Sequence, residues 1–368
     1  MNLFLDGLLL FATLVYSAFA LAMVIGLTHR KDETADTAQP DVTVIIAARD
    51  EEHDLPHLLD DLLAQDYPAE KVAIIIADDR SRDRTPEILD HYTGEHDRIT
   101  AIHITELNPD MTPKKWALTC CLEAAETDVI LATDADCRVP PTWVRAAVRH
   151  LNSDTGIASG YSSVSGESWF ERYQNLDFIG LMSANMALMN LGLAWSGSGQ
   201  NLVYRKAAFR EAGGFRPVAH RLSGDDVYLI QGISNLKSWR AKAIWDREHF
   251  VSTQAMPTVK AFLNQRIRWA SNSDNSMGRK PLFFSFLLSA FLTNTAILFN
   301  LLCGNPSSLF TAMLTLKFIL EGAVLSMAVQ RYHQWSALPL YPLWFVLQPI
   351  YIPLMGLAGL LKAFKWKP

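Results

Sequence analysis

The stretch Asp128-Val-Ile-Leu-Ala-Thr-Asp-Ala-Asp136 decides the fold, because a short apolar strand leads directly into two carboxylates. Three similar apolar runs precede it, at Val42–Ala48, residues 72–77 and Ile99–Ile104, and segments with helical spacing lie between them. Short runs rich in β-branched residues are typical of central parallel strands. The alternation therefore predicts an α/β domain with a largely parallel sheet, whose ligands gather at the carboxyl ends of the strands.

Two acidic pairs fall at such strand ends, Asp78-Asp79 and Asp134-Ala-Asp136, so we expect both to face one cleft. Alternate residues point the same way on an extended backbone, which lets Asp134 and Asp136 hold a hard divalent ion that neutralises a diphosphate. A solvated turn is the alternative for an isolated Asp-x-Asp. Asp78-Asp79 can accept hydrogen bonds from a base and a ribose, or can form an Asx turn that ends the strand.

Two further charged pairs complete the candidate chemistry. Lys114-Lys115 opens a predicted helix and can bind phosphate there, unless both are ordinary exposed lysines. In Asp225-Asp226, Asp226 is the candidate general base for an acceptor hydroxyl, and like-charge repulsion disfavours ionising both acids, which would raise the pKa of one of the two. The alternative for these acids is helix N-capping.

The segment Gln265-Arg-Ile-Arg-Trp269 combines cationic and aromatic residues just before an apolar stretch. We expect an interfacial helix, on which Arg268 contacts phosphate oxygens and Trp269 offers a flat wall to an acceptor. A basic and aromatic belt at a membrane surface would also explain Arg268 and Trp269. It would not explain Gln265.

The apolar residues of the chain, 49% of 368, are concentrated at its two ends. Residues 3–27 are long enough to span a bilayer and favour a retained anchor over a cleaved signal peptide. The basic residues 29–31 that follow predict a cytoplasmic catalytic domain. Residues 338–361 contain four prolines, so that segment is either a span or a re-entrant hairpin.

Two predicted helices carry open alternatives. Lys317 and Glu321 lie one turn apart in a predicted span and can pair, with a structural role favoured over one in lipid entry. Residues 169–193 form a helical pattern rich in Leu and Met, typical of a core helix, or of a surface that meets lipid or an apolar acceptor.

The net charge and the cysteine spacing argue against a nucleic-acid binder and against a cysteine-ligated metal site. A formal charge of -5 argues against a nucleic-acid binder, whose affinity would come from clustered Lys and Arg. The four cysteines have no metal-binding spacing, which indicates reduced thiols in a cytoplasmic domain.

These patterns predict a multi-pass protein of the cytoplasmic membrane with five regions. They are an N-terminal transmembrane helix (1–28), a linker (29–40), a catalytic α/β domain (41–255), an interfacial helix (256–280) and a C-terminal membrane region (281–368) with spans near 281–303 and 307–329 and the third segment near 338–361.

The motifs resemble the membrane-bound members of family-2 inverting glycosyltransferases. The likeness rests on Ala47-Ala-Arg-Asp-Glu-Glu52, Asp79, Lys114, Asp134-Ala-Asp136, Gly224-Asp-Asp226 and Gln265-Arg-Ile-Arg-Trp269. It implies a GT-A fold, a UDP-sugar donor, Mg²⁺ or Mn²⁺, and inversion at the anomeric carbon.

The resemblance also implies roles for single residues. Donor nucleotide and diphosphate would be bound by Ala47, Arg49, Glu51, Asp79, Lys114, Asp134, Gln265, Arg268 and Trp269. Asp136 and Asp134 would hold the metal, Asp226 with Asp225 would act as the base, and Trp269 with Asp226 would face the acceptor. The chain has Gly-Asp-Asp where the family usually has Glu-Asp or Thr-Glu-Asp, so that Asp225 and Asp226 are both candidates for the base. The Gly-Asp-Asp form is similar to that of a bacterial subgroup that includes lipid and carotenoid glycosyltransferases.

We therefore expect an enzyme that moves one hexose from a UDP-sugar to a lipid hydroxyl at the cytoplasmic face of the bilayer. About four apolar segments are few for the channel that a growing polymer would need, which favours transfer of a single sugar. A processive polysaccharide synthase is the alternative. A membrane protein that only senses nucleotide is a second alternative.

Overall fold

The computed structural model describes residues 2–29, 39–272, 280–304 and 307–365. Predictions that concern residues 30–38, 273–279, 305–306 and 366–368 lie outside the described residues. They fall on most of the linker with Arg30 and Lys31, on the end of the segment predicted as interfacial, on the stretch between the first two C-terminal spans, and on the last three residues of the C-terminal membrane region.

The chain divides into two compact units. The sheet unit comprises Lys31–Ser163 and Gly192–Gln254, and the helical unit comprises Met1–Arg30, Val164–Leu191 and Ala255–Pro368, so far as these ranges are described.

The sheet unit contains the predicted parallel strands. Its strands and helices are β1 Val42–Ala48, α2 Leu55–Leu63, β2 Val72–Asp79, α3 Thr85–Glu95, β3 Ile99–Ile104, α4 Pro113–Ala124, β4 Val129–Ala132, β5 Cys137–Arg138, α5 Trp143–Arg149, β6 Thr155–Gly160, β7 Ser162–Ser165, β8 Leu202–Arg205, α7 Lys206–Glu211, α8 Asp225–Ser234, β9 Arg240–Ile244 and β10 Val251–Gln254, with β7 running into the helical unit.

Seven strands form the main sheet in the order β3-β2-β1-β4-β8-β6-β9. The pairs β1-β2, β1-β4, β2-β3 and β6-β9 are parallel, whereas β8 runs antiparallel between β4 and β6. Because the side chains of β1 and β2 are buried on both faces, these strands are mainly apolar rather than alternating until β2 ends in Asp78 and Asp79. The carboxyl ends of β1, β2 and β4 thus lie side by side, which brings the predicted acids to one edge of the sheet.

The helical unit contains the apolar ends of the chain. Its helices are α1 Asn2–Thr28, α6 Trp169–Asn190, α9 Val259–Ala270, α10 Pro281–Leu302, α11 Ser308–Tyr332 and α12 Tyr341–Leu360. Among the described residues, four segments have the length and hydropathy needed to cross a membrane: Phe4–Thr28, Pro281–Leu302, Ser308–Tyr332 and Trp335–Leu360. One lies at the N-terminus and three follow α9, as predicted.

Internal contacts explain two features of this unit. Lys317 Nζ donates to Glu321 Oε2 at 2.8 Å, and Glu321 Oε1 accepts from Tyr16 at 2.6 Å, so the predicted pair forms and connects α1 with α11. Most side chains of α6 are buried, and a Cβ added to Gly26 would overlap the backbone of Ala187. Helix α6 is therefore an interior helix of the unit, in close backbone contact with α1.

Candidate active site

Four charged side chains meet at the carboxyl end of β4. Asp134 follows that strand, Lys114 lies in the first turn of α4, and Asp225 and Asp226 begin α8. Lys114 Nζ donates to Asp134 Oδ1 at 2.7 Å and lies 3.6 Å from Asp225 Oδ2. Lys114 is thus an ion-pair partner of these acids rather than an ordinary exposed lysine.

These residues line a cavity of about 20 Å³, which has room for about one water molecule. Its wall is completed mainly by apolar residues from the surrounding elements, Leu118, Ala132, Thr133, Gly199, Leu202, Tyr204, Phe215 and Leu229. The acids therefore face a small space with apolar walls, in which charge is poorly screened.

Asp226 is held by two backbone N–H groups. Gly199 donates to Oδ2 at 2.9 Å, and Val227 donates to Oδ1 at 2.7 Å. The residue is half-buried, and burial followed by the charge of Asp225 raises the pKa of Asp226 to about 6, although the two N–H groups and Lys114 oppose that rise. A carboxylate with this pKa is ionised at neutral pH and basic enough to accept a proton.

The pKa of Lys114 is perturbed by the same cluster. Burial opposes its positive charge, but Asp134, Asp225 and Asp226 outweigh burial and raise the pKa above its ordinary value. Lys114 therefore remains a cation at any pH that the protein would meet, and its charge is available to an anionic ligand at the edge of the cavity.

The N-cap of α8 is Gly224 at φ 83, a left-handed conformation that glycine adopts without strain. The alternative that Asp225 or Asp226 caps this helix is therefore wrong. Both acids lie in its first turn, where the helix dipole stabilises negative charge. The loop before them is fixed by α4, because Lys115 Nζ donates to the carbonyl of Arg221 at 2.5 Å.

Gly199 is a site residue that the sequence prediction missed. A Cβ at this position would lie 3.3 Å from the Cβ of Asp226, and one at Gly197 would lie 2.5 Å from Ile230 Cδ1. The signal in the sequence was Gly197-Ser-Gly199, two glycines that allow a backbone to approach α8 closely enough for its N–H to reach a carboxylate.

A second group of predicted residues lies at the ends of β1 and β2. Asp79 is 5% exposed, and its carboxylate pairs with Arg80 at 2.7 Å and with Arg49 Nη1 at 3.9 Å. Ala47 lies at the end of β1 opposite Ala77, and the backbone N–H of Glu51 donates to Thr85 Oγ1 at 2.9 Å. The structure thus brings Ala47, Arg49, Glu51 and Asp79 together.

The backbone at these two strand ends is strained. Asp50 and Arg80 have φ of 53 and 57, a left-handed region that costs non-glycine residues free energy and is enriched at functional sites. The loops brace each other, since Arg82 N–H donates to Asp50 Oδ1 at 2.7 Å. Asp78 forms a side-chain turn of the Asx type that the sequence also allowed, because its Oδ1 accepts a hydrogen bond from the Ser81 N–H at 3.1 Å.

The Asp134-Ala-Asp136 segment is a tight turn rather than an extended one. The N–H of Cys137 donates to the carbonyl of Asp134 at 3.2 Å, so the alternation argument does not describe how the two carboxylates point. Asp134 lines the cavity, whereas Oδ1 of Asp136 lies 3.7 Å from Cys137 Sγ.

The residues Gln265, Arg268 and Trp269 lie on α9 in the helical unit. Positions 265, 268 and 269 share one helix face. Gln265 Oε1 accepts a hydrogen bond from Arg266 at 2.5 Å, and the Trp269 ring lies 5.6 Å from that of Phe178. Helix α9 packs on α12, where Phe262 stacks on Tyr351 at 6.2 Å.

The donor chemistry of the acids fits Mg²⁺ or Mn²⁺. Within the described ranges, no three His, Cys, Asp or Glu side chains form a preformed metal cage. Mg²⁺ commonly takes only one or two carboxylates and obtains its other ligands from water and substrate phosphates. The carboxylates of Asp134 and Asp136 match that requirement.

Comparison with known proteins identifies the family. The model of glycosyl transferase family 21 matches residues 8–367. The beta-monoglucosyldiacylglycerol synthase of Synechocystis sp. is 25% identical over 302 residues, which cover 77% of this chain and 61% of that protein. The probable glycosyltransferase YdaM of Bacillus subtilis is 26% identical over 277 residues, with 71% and 61% covered. The chain thus spans about three fifths of the length of these relatives.

A solved structure supports the fold. The mannosyltransferase PcManGT of Pyrobaculum calidifontis, in complex with GDP-Man and Mn²⁺, is similar with a TM-score of 0.63 and 18% identity, over 98% of this chain and 100% of that one. This likeness confirms the predicted GT-A fold. Since the family model matches nearly the whole chain, the protein belongs to glycosyl transferase family 21.

Proposed function

We propose that the protein is an inverting, metal-dependent glycosyltransferase that moves one hexose from a UDP-sugar to the hydroxyl of a membrane lipid. The observation that carries the proposal is Asp226, a carboxylate whose pKa is raised to about 6 beside the Lys114 and Asp134 ion pair. A base near neutral pH next to a cation is the combination that hydroxyl attack and diphosphate departure require.

In the proposed reaction, Asp226 accepts the proton of the acceptor hydroxyl while the hydroxyl oxygen bonds to the anomeric carbon. The bond between that carbon and the diphosphate oxygen breaks, and the nucleoside diphosphate leaves with the electron pair. Lys114 donates hydrogen bonds to the departing phosphate, and Asp79 orients the nucleoside through its carboxylate. Attack from the face opposite the leaving group inverts the anomeric centre.

A divalent ion, Mg²⁺ or Mn²⁺, would be held by Asp134 and Asp136 and would supply positive charge to the diphosphate. The complex of PcManGT with GDP-Man and Mn²⁺ supports a nucleotide-sugar donor and a metal. The Gln265, Arg268 and Trp269 face of α9 is the proposed partner of the diphosphate and acceptor.

The proposed acceptor is a lipid of the diacylglycerol class. Two features support it: four helices long and apolar enough to cross a membrane, and a relative named for the synthesis of beta-monoglucosyldiacylglycerol. We propose that the catalytic domain lies on the cytoplasmic side, which the basic residues 29–31 after the N-terminal apolar helix support.

The test uses the full chain in nanodiscs that contain diacylglycerol, with a panel of UDP- and GDP-hexoses and Mg²⁺ or Mn²⁺. We expect nucleoside diphosphate release together with one defined glycolipid by mass spectrometry, and a β-linkage by NMR from an α-linked donor. A ladder of products would favour the polysaccharide synthase. Nucleotide binding without any transfer would favour the sensing alternative, and the Asp226→Asn variant is the matched control.

A further inference from the structure

A buried ion pair contacts two of the α9 residues that are proposed to bind substrate. Arg266 is the second residue of Gln265-Arg-Ile-Arg-Trp269 and is 6% exposed. Its Nε donates to Asp177 Oδ2 on α6 at 2.7 Å, and the Asp177 side chain is 11% exposed. Because a buried charge is costly unless it is paired and hydrogen-bonded, this geometry is tightly constrained.

Asp177 also accepts hydrogen bonds from the last membrane helix. Trp344 Nε1 donates to Oδ1 at 3.1 Å, and Tyr351 Oη donates to Oδ2 at 3.4 Å. One carboxylate on α6 is therefore shared by α9 and α12, so the position of α9 depends on both helices.

The guanidinium of Arg266 holds two residues of the proposed site. It lies 4.2 Å from the ring centroid of Trp269 and 4.5 Å from that of Phe262 on the preceding turn. Its Nη1 donates to Gln265 Oε1 at 2.5 Å. The Gln265 oxygen therefore faces the guanidinium, which leaves its amide nitrogen on the side away from Arg266, and the guanidinium covers one face of the partly exposed Trp269 ring.

We propose that the Asp177–Arg266 pair is a positioning element that orients Gln265 and Trp269 for transfer, an inference that rests on the proposed function. The two arginines of the motif then differ in role. The charge of Arg266 is paired with Asp177 inside the protein, and Arg268 is the arginine that we propose for phosphate contact. A planar guanidinium is needed, since it stacks on both rings and donates along two directions at once.

The experiment compares Arg266→Lys, Asp177→Asn and the double variant in nanodiscs. Arg266→Lys keeps the charge but loses the stacking and the fork of donors, and Asp177→Asn keeps the shape but loses the charge. We expect kcat to fall about 10- to 100-fold in each single variant, since a misplacement of about 1 Å can cost about 100-fold. The double variant should fall no further than the worse single one, and the Kd for UDP should stay within about threefold of wild type, since positioning acts on orientation more than on affinity.

Gln334→Ala is the matched control, because it removes the hydrogen bond of 3.0 Å that Asn175 of α6 donates to Gln334 and leaves the partners of Asp177 in place. It should leave kcat unchanged. Wild-type kcat in both single variants would overturn the inference and leave the proposed function intact. A loss of kcat that only parallels a loss of thermal stability would reduce the pair to a fold contact and also overturn it. An inactive wild type would overturn both.

Discussion

The rate of transfer should depend on pH through Asp226, whose pKa of about 6 lies well above the ordinary value of 3.8. The base must be ionised to accept a proton, so activity is present above this pKa and is lost as pH falls through it. From pH 7 to pH 5 the ionised fraction drops from about 90% to about 10%, which predicts an approximately tenfold fall in kcat/KM. A carboxyl group with its ordinary pKa would lose less than about 10% over the same range.

The assay follows initial nucleoside diphosphate release at low donor concentration, because kcat/KM reports the free enzyme. Constant ionic strength and saturating Mn²⁺ keep other variables fixed between pH 5 and 8. Asp225→Asn provides the control: it removes the like charge that raises the pKa of Asp226, so the acid limb should move to lower pH. A profile that is flat from pH 5 to 7 in the wild type would refute the reasoning.

Three further perturbations test other parts of the account. Lys114→Met should weaken UDP binding about 10- to 100-fold by calorimetry, the worth of one charge-assisted hydrogen bond, and should move the acid limb to higher pH; unchanged UDP affinity would contradict the role of Lys114. Gly199→Ala should slow transfer several-fold with an unchanged melting temperature, since its Cβ would come within 3.3 Å of Asp226; full activity would show that the site does not need a glycine at this position. Lys317→Met should destabilise the helical unit by about 3–5 kcal/mol because it leaves a buried Glu321 without its cation, and adding Glu321→Leu should restore most of the loss; a double variant that melts as low as the single one would contradict this.

The four strands β1 to β4 could be predicted from the sequence, whereas β6, β8 and β9 on the other side of the sheet could not. Val42–Ala48 and Ile99–Ile104 are apolar runs whose bounds match β1 and β3. By contrast β6 is Thr-Gly-Ile-Ala-Ser-Gly, in which small residues carry little strand preference. The buried position of β6 comes from its pairing with β8 and β9, a long-range property that a local pattern does not contain.

The candidate site was likewise predictable only in part from the sequence. The acids were predictable because charged residues directly after buried strands have few structural explanations. The contact of Lys114 with Asp134 and Asp225, 20 and 111 positions away, depends on how α4 and α8 meet and has no local signature. The ion pair of Arg266 with Asp177 was equally hidden, since it depends on how α9 packs against α6.

Asp226→Asn tests the central claim most directly, because the amide keeps the shape of the side chain and removes its basicity. The account predicts that the purified variant binds UDP-sugar with a Kd within a few-fold of wild type and transfers hexose to lipid about 10²- to 10⁴-fold more slowly, with no acid limb near pH 6. Transfer at more than a tenth of the wild-type rate, with that limb intact, would contradict it.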